Sequence, residues 1–144
     1  MFYQDINPEF SFVPTVLYID DNIHSIDIIS RLLHAKTNWR LMTSMLGVEG
    51  VEIATALLPD LILLDLQLPD INGLEVLRQL RTDPRTSETP IIMLSAEAHQ
   101  HKIVECLNAG ADDYFVKPCD LNQFVVALHS FMRGGDRQWL PVRV

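Results

Sequence analysis

The sequence predicts an α/β domain in which a doubly wound, five-stranded parallel sheet is sandwiched between helices. Five short β-rich runs alternate with five stretches of helical spacing, joined by short connections. A βα repeat of that kind builds a parallel sheet with right-handed crossovers. One run, DLILLDL (Asp60 to Leu66), is almost continuously apolar, as a strand covered on both faces is, whereas a half-exposed strand alternates. Strongly polar residues gather at the ends of the runs, the edge where such a sheet places its ligand site.

The first element is TVLYI (Thr15 to Ile19), which stops at Asp20-Asp21. Ile26, Ile28, Ile29, Leu32 and Leu33 then fall near helical spacing. RLMTSML (Arg40 to Leu46) is the second strand, and EGVEIATALL (Glu49 to Leu58) is a helix ended by Pro59. After the apolar third strand, Pro69, Asp70, Asn72 and Gly73 form a turn before the helix LEVLRQLR, which Asp83-Pro84 breaks. Pro90 precedes the fourth strand, IIMLSA. A helix follows from His99 to Asn108, with Gly110 as its C-terminal cap. DYFVKP is the fifth strand and Leu121 to Met132 the last helix, before Gly134-Gly135 releases the tail DRQWLPVRV. The expected division is a leader over 1–13, one domain over 14–133 and a tail over 134–144.

A length of 144 residues suits one domain, and 48% hydrophobic residues supply a core of normal size. Nineteen acidic against eleven basic side chains leave a net charge of −8. That balance argues against direct nucleic-acid binding, which depends on cationic neutralisation of phosphates. Two cysteines, Cys106 and Cys119, form neither a CxxC pair nor a zinc cluster. The start, MFYQDINPEF, lacks the cationic and apolar regions of a signal peptide, and no run approaches a membrane span. The expectation is a soluble, cytoplasmic chain with no membrane segment.

Asp20 and Asp21 end the first strand, Asp65 the third, Ser95 the fourth and Lys117 the fifth. Carboxylates brought together raise each other's energy unless a cation neutralises them. Oxygen donors without a cysteine or histidine cluster favour Mg2+, with Mn2+ as the alternative. Lys117 would supply a fixed positive charge suited to a phosphoryl oxygen. Asp65 could be a metal ligand or a nucleophile toward phosphorus. Bland roles compete at each position taken singly. Asp20, Asp21 and Ser95 could be helix caps, and Lys117 could snorkel to water. Capping explains Asp65 poorly, since it lies between Leu64 and Leu66 in an apolar run. Lys117-Pro118 marks a tight turn whose isomer composition leaves open. The histidines His24, His99, His101 and His129 fit no metal spacing, and surface or packing roles are expected for them.

From Thr15 to Met132 the sequence resembles the receiver domain of two-component response regulators, including the receivers of hybrid sensor histidine kinases. The resembling motifs are the acidic pair Asp20-Asp21, DLQLPDINGLEVLRQLR around Asp65, LSA with Ser95, and AGADDYFVKP with Lys117. The resemblance implies a flavodoxin-like (CheY-like) sheet of order 2-1-3-4-5. It also implies phosphorylation of Asp65 by a phosphohistidine on a sensor histidine kinase or histidine phosphotransfer protein. Mg2+ would be held by Asp20, Asp21, Asp65 and the Gln67 backbone carbonyl. Ser95, the Ala96 backbone amide and Lys117 would bind the phosphoryl oxygens, and Pro118 would follow a cis bond. Pro69 and Gly73 would shape the turn into the third helix, with Asn72 as its cap. Ser95 and Phe115 would form the switch, Phe115 passing from exposed to buried, with a static core aromatic as the competing role for Phe115. The domain would catalyse its own phosphorylation and dephosphorylation, and a parent hybrid kinase would itself be a kinase. A homodimer could form through the face of helix four, strand five and helix five, carrying His101, Val104, Phe115, Asn122 and Val126. The competing readings are a pseudo-receiver that binds protein without phosphotransfer and a Mg2+-dependent phosphatase, for which neither an acid/base nor a cap domain is visible.

Overall fold

In the computed structural model, which describes residues 13–132, each strand is a short apolar run followed by a helix that packs back on the sheet. The strands are β1 (Thr15–Ile19), β2 (Arg40–Ser44), β3 (Leu61–Leu64), β4 (Ile91–Ser95) and β5 (Asp113–Val116). The helices are α1 (Ile23–Lys36), α2 (Gly47–Leu57), α3 (Gly73–Thr82), α4 (Gln100–Asn108) and α5 (Leu121–Phe131). All neighbouring strands are parallel, and their order is β2-β1-β3-β4-β5. The fold is thus the flavodoxin-like one expected. The expected leader and tail lie outside the described residues, Val13 apart.

Alternation along the strands sends successive side chains to opposite faces, so two cores form. On the face of α2, α3 and α4, Leu17, Ile19, Ile62 and Leu64 meet Leu77 and Leu80. On the face of α1 and α5, Val16, Tyr18, Leu61 and Leu63 meet Leu33 and Phe124. Every residue of β3 is buried, as its unbroken apolar run requires.

Element ends depart from the sequence pattern where polar side chains set them. α1 begins at Ile23 because the Asn22 side chain caps it, accepting from the Ser25 amide. β2 stops at Ser44, whose hydroxyl turns back onto the Leu46 carbonyl at 2.9 Å. α2 has no cap of its own from Leu46. Asp70, from the loop after β3, accepts from the Gly47 and Val48 amides at 2.7 and 2.9 Å instead. Those bonds, Val48 first, hold the Asp70 carboxyl below the usual carboxylate range. Asn72 caps α3 through the Leu74 amide at 2.8 Å. Glycine at 73 is required by space: a Cβ there would lie 2.1 Å from the Asp65 carbonyl oxygen. The α3 entry therefore rides directly on the backbone of the candidate acceptor.

At the opposite edge of the sheet Arg81 joins three segments. Its guanidinium donates to the Gly110 carbonyl at 2.9 Å, to the Thr89 carbonyl at 2.6 Å and to Asp112 Oδ2 at 3.0 Å. Asp112 Oδ2 also accepts the amide of Ile91, the first residue of β4, at 2.9 Å. Gly110, at φ +114°, lets the backbone pass against the arginine stem. Arg81→Ala is expected to lower stability by about 2–3 kcal/mol in urea denaturation, because several partly buried acceptors lose their donor together. Arg81→Lys should recover less than half of the loss, since a point charge cannot span the same fork.

Candidate functional site

The carboxyl ends of the strands continue their ladders one residue past the last apolar position. The Asp20 amide donates to the Ser44 carbonyl at 3.0 Å, Asp65 to Ile19 at 3.0 Å and Lys117 to Ser95 at 2.8 Å. These backbone bonds fix the polar side chains to the rigid sheet, where a site is held more firmly than on a free loop. Asp20 is fully buried and Asp65 nearly so, while Asp21 is exposed at the rim. Carboxylate oxygens of the three lie within 4.8 Å of one another.

Lys117 does not snorkel outward. Its Nζ turns over the sheet edge to lie 2.7 Å from Asp20 Oδ2, 3.0 Å from Ser25 Oγ and 3.5 Å from Asp65 Oδ2. The lysine thus reaches from β5 across β4 to groups on β3 and β1. Unit charges about 4 Å apart interact by about 4 kcal/mol at an effective dielectric near 20. One ammonium therefore offsets only part of the repulsion among three carboxylates. Burial raises the Asp65 carboxyl above its ordinary value; the Ser95 hydroxyl opposes that rise, the Asp20 charge adds to it and Lys117 lowers it. The donor set is all hard oxygen, clustered and short of positive charge, and it fits a divalent cation such as Mg2+.

Capping does not account for Asp20 or Asp21, because Asn22 caps α1. Asp20 Oδ1 accepts the Asn22 amide at 2.8 Å, and Oδ2 accepts the Tyr18 hydroxyl at 2.5 Å as well as Lys117. Ser95, fully buried, accepts the Glu97 amide on Oγ at 3.2 Å. The Gln67 amide points back to Asp65 Oδ1 at 3.3 Å. Ala96 and Lys117 line a cavity of about 460 Å³, together with Asn22, His24, Ile28 and Pro118. The Lys117–Pro118 peptide is cis. Pro69 lies exposed in the loop after β3, ahead of Asp70.

Phe115 is not exposed as the switch reading expects, and its placement matches the competing one, a core aromatic. It is buried in the core under α1 and α5, edge to face with Phe124 at 5.2 Å between centroids. Strand alternation explains the difference, since Phe115 points to the face away from α4. For the same reason Phe115 adds no exposed surface to the α4–β5–α5 face, where His101, Val104 and Asn122 are exposed and Val126 half-buried. The aromatic that does touch the loop after β4 is Tyr114, whose hydroxyl donates to the Glu97 carbonyl at 2.7 Å. Burial pushes its phenol up to about 12. Sequence reasoning also missed Tyr18 and Ser25. Tyr18 precedes Asp20 by two residues, so period-two alternation places both on one face, but a tyrosine in an apolar run reads as core.

Among the described residues no helix is long and apolar enough to cross a membrane. A model of the response regulator receiver domain matches residues 16–129. The chain is 34% identical over 125 residues to the DNA-binding dual master transcriptional regulator RpaA of Synechocystis, covering 87% of this chain and 52% of that protein. It is also 34% identical over 119 residues to hybrid signal transduction histidine kinase D of Dictyostelium discoideum, covering 83% of this chain and 8% of the kinase. The chain spans about half the length, or less, of these relatives. Among solved structures, the receiver domain of a Pseudomonas aeruginosa sensor histidine kinase matches with a TM-score of 0.76 and 28% identity, over 83% of this chain and 98% of that one. That structure has a magnesium ion coordinated in its active-site cleft. Vibrio cholerae chemotaxis protein CheY4 matches with a TM-score of 0.77 and 26% identity, over 84% of this chain and all of that one.

A carboxyl whose folded pKa lies above its unfolded value contributes stability at acid pH that is lost as pH rises through the folded value. Ionised Asp65 therefore works against the fold at neutral pH when no divalent ion is present. In EDTA at neutral pH, Asp65→Asn is expected to raise the thermal midpoint by about 3 °C. An unchanged or lower midpoint by calorimetry would mean that Lys117 and Ser95 already compensate the buried charge.

Proposed function

Because the chain belongs to the response regulator receiver domain family, we propose that it takes a phosphoryl group from phosphohistidine onto Asp65 and signals through the resulting change in conformation. The observation that carries this reading is Lys117 Nζ held between Asp20 and Asp65, at 2.7 and 3.5 Å, inside a cluster of three carboxylates. The donor is a sensor histidine kinase or a histidine phosphotransfer protein, consistent with the likeness to hybrid-kinase receivers. An Asp65 oxygen attacks phosphorus, the P–N bond to the donor imidazole breaks with its electron pair leaving on nitrogen, and an acyl phosphate forms. The leaving nitrogen takes up a proton.

Asp20, Asp21, Asp65 and the Gln67 carbonyl would hold Mg2+, or Mn2+ in its place. When bound, the ion offsets charge on the carboxylates and on the transferring phosphoryl oxygens. The protein's own groups do the rest. Lys117 exchanges its carboxylate partners for a phosphoryl oxygen, the Ser95 hydroxyl and the Ala96 amide donate to the others, and the small Ala96 side chain leaves the approach open. The same groups, with water as the acceptor, support dephosphorylation.

Phosphorylation adds about 1.5 to 2 negative charges and three strong acceptors beside Ser95. Drawing Ser95 inward moves a loop that Tyr114 grips two residues further on, at Glu97. Tyr114, rather than Phe115, is the aromatic placed to couple that loop to β5. The output is a partner or the parent protein, selected by a shift between pre-existing conformations.

Acetyl phosphate and Mg2+ should add one phosphoryl mass, about 80 Da, to the intact chain by mass spectrometry. Asp65→Asn or EDTA should abolish the gain. No gain with Mg2+ demonstrably bound would favour a pseudo-receiver, and rapid turnover of small phosphate esters would favour a phosphatase.

A further inference from the structure

We propose that Tyr18 is a positioning residue of this site: its hydroxyl anchors the Asp20 carboxylate, so that Lys117 can leave for the phosphoryl group while Asp20 keeps its orientation. The inference rests on the metal- and phosphoryl-binding reading of the site.

Asp20 is fully buried, so the loss of any hydrogen-bond partner is costly. Its Oδ1 is held by the Asn22 amide at 2.8 Å. Its Oδ2 has two donors, the Tyr18 hydroxyl at 2.5 Å and Lys117 Nζ at 2.7 Å. Lys117 is the group whose partners must change during phosphoryl transfer. Once it turns away, Tyr18 is the remaining side-chain donor at Oδ2.

Tyr18 suits that task for three reasons. Its ring is fully buried in the core under α1 and α5, so packing fixes its direction. It sits on β1, paired to both β2 and β3, and it points to the same face as Asp20 two residues on. Finally it is a neutral donor, which orients the carboxylate without cancelling the charge a cation needs. Phenylalanine would fill nearly the same space, and a hydroxyl buried at this depth is retained at a cost unless it is bonded. Groups that orient a ligating carboxylate are typically worth 10- to 100-fold in metal affinity.

The test is calorimetric titration of MgCl2 into the full chain, wild type against Tyr18→Phe, with circular dichroism to establish folding. Tyr18→Phe is expected to bind Mg2+ about tenfold more weakly while remaining folded. Affinity within twofold of wild type, with only the thermal midpoint lowered, overturns the proposal and leaves Tyr18 a packing residue. If the wild type binds no Mg2+, the metal-binding reading fails with it, so the two failures are told apart by the wild-type titration alone. Should Tyr18→Phe not fold, the wild-type hydroxyl proton gives the answer. Bonded to a buried carboxylate, it should show a slowly exchanging downfield NMR resonance that shifts on saturation with Mg2+ and stays protected when beryllofluoride is added. A resonance that does not respond to bound Mg2+, or that is lost on adding beryllofluoride, overturns the proposal.

Discussion

Lys117 stretches from the end of β5 over β4 to lie 2.7 Å from Asp20 and 3.5 Å from Asp65, and with Asp21 at the rim three carboxylates face that one ammonium. The rest of the structure is arranged around this imbalance of charge. Sheet hydrogen bonds extend past the apolar ends of β1, β3 and β5 to hold Asp20, Asp65 and Lys117 in place. Tyr18 and the Asn22 amide share the burden of Asp20. A site so short of positive charge is suited to gain a cation, and under the proposed function Lys117 gives up its carboxylate partners for a phosphoryl oxygen.

The apolar layers and the Arg81 network lie apart from the candidate site. Two apolar layers cover β3 completely, and Arg81 locks the amino edge of the sheet through Gly110, Thr89 and Asp112. At the carboxyl edge the contacts named above are polar. Gly73 packs directly on the Asp65 carbonyl, so α3 meets the end of β3 through backbone, while the Tyr114 hydroxyl bonds β5 to the loop after Ser95. Under the proposed function, a charge added at Asp65 meets this polar rim before it meets the apolar core.

Much of this was legible in the sequence because burial on both faces and ligand placement leave linear traces. The unbroken run of β3 and the polar residues after Ile19, Leu64 and Val116 each occupy positions that strand geometry dictates. What was not legible depended on direction or on distance in sequence. Phe115 and Tyr114 are neighbours, and only the pleat decides that Tyr114 meets the Glu97 carbonyl while Phe115 packs on Phe124. Asp70 caps a helix that begins 23 residues earlier, which no local cap pattern reveals. α1 outruns its apolar stripe because the Asn22 cap sets its start at Ile23 and it continues to Lys36.

Under the proposed function, this geometry makes Asp65 the phosphoryl acceptor. Borohydride reduces an aspartyl phosphate to homoserine, so treating the Mg2+- and acetyl phosphate-exposed chain with borohydride and sequencing its peptides by mass spectrometry locates the acceptor directly. Homoserine at position 65, and at neither Asp20 nor Asp21, is the result expected from the way Lys117 and Ser95 flank that carboxylate. Homoserine at another position, or none in a chain shown to bind Mg2+, would contradict the account.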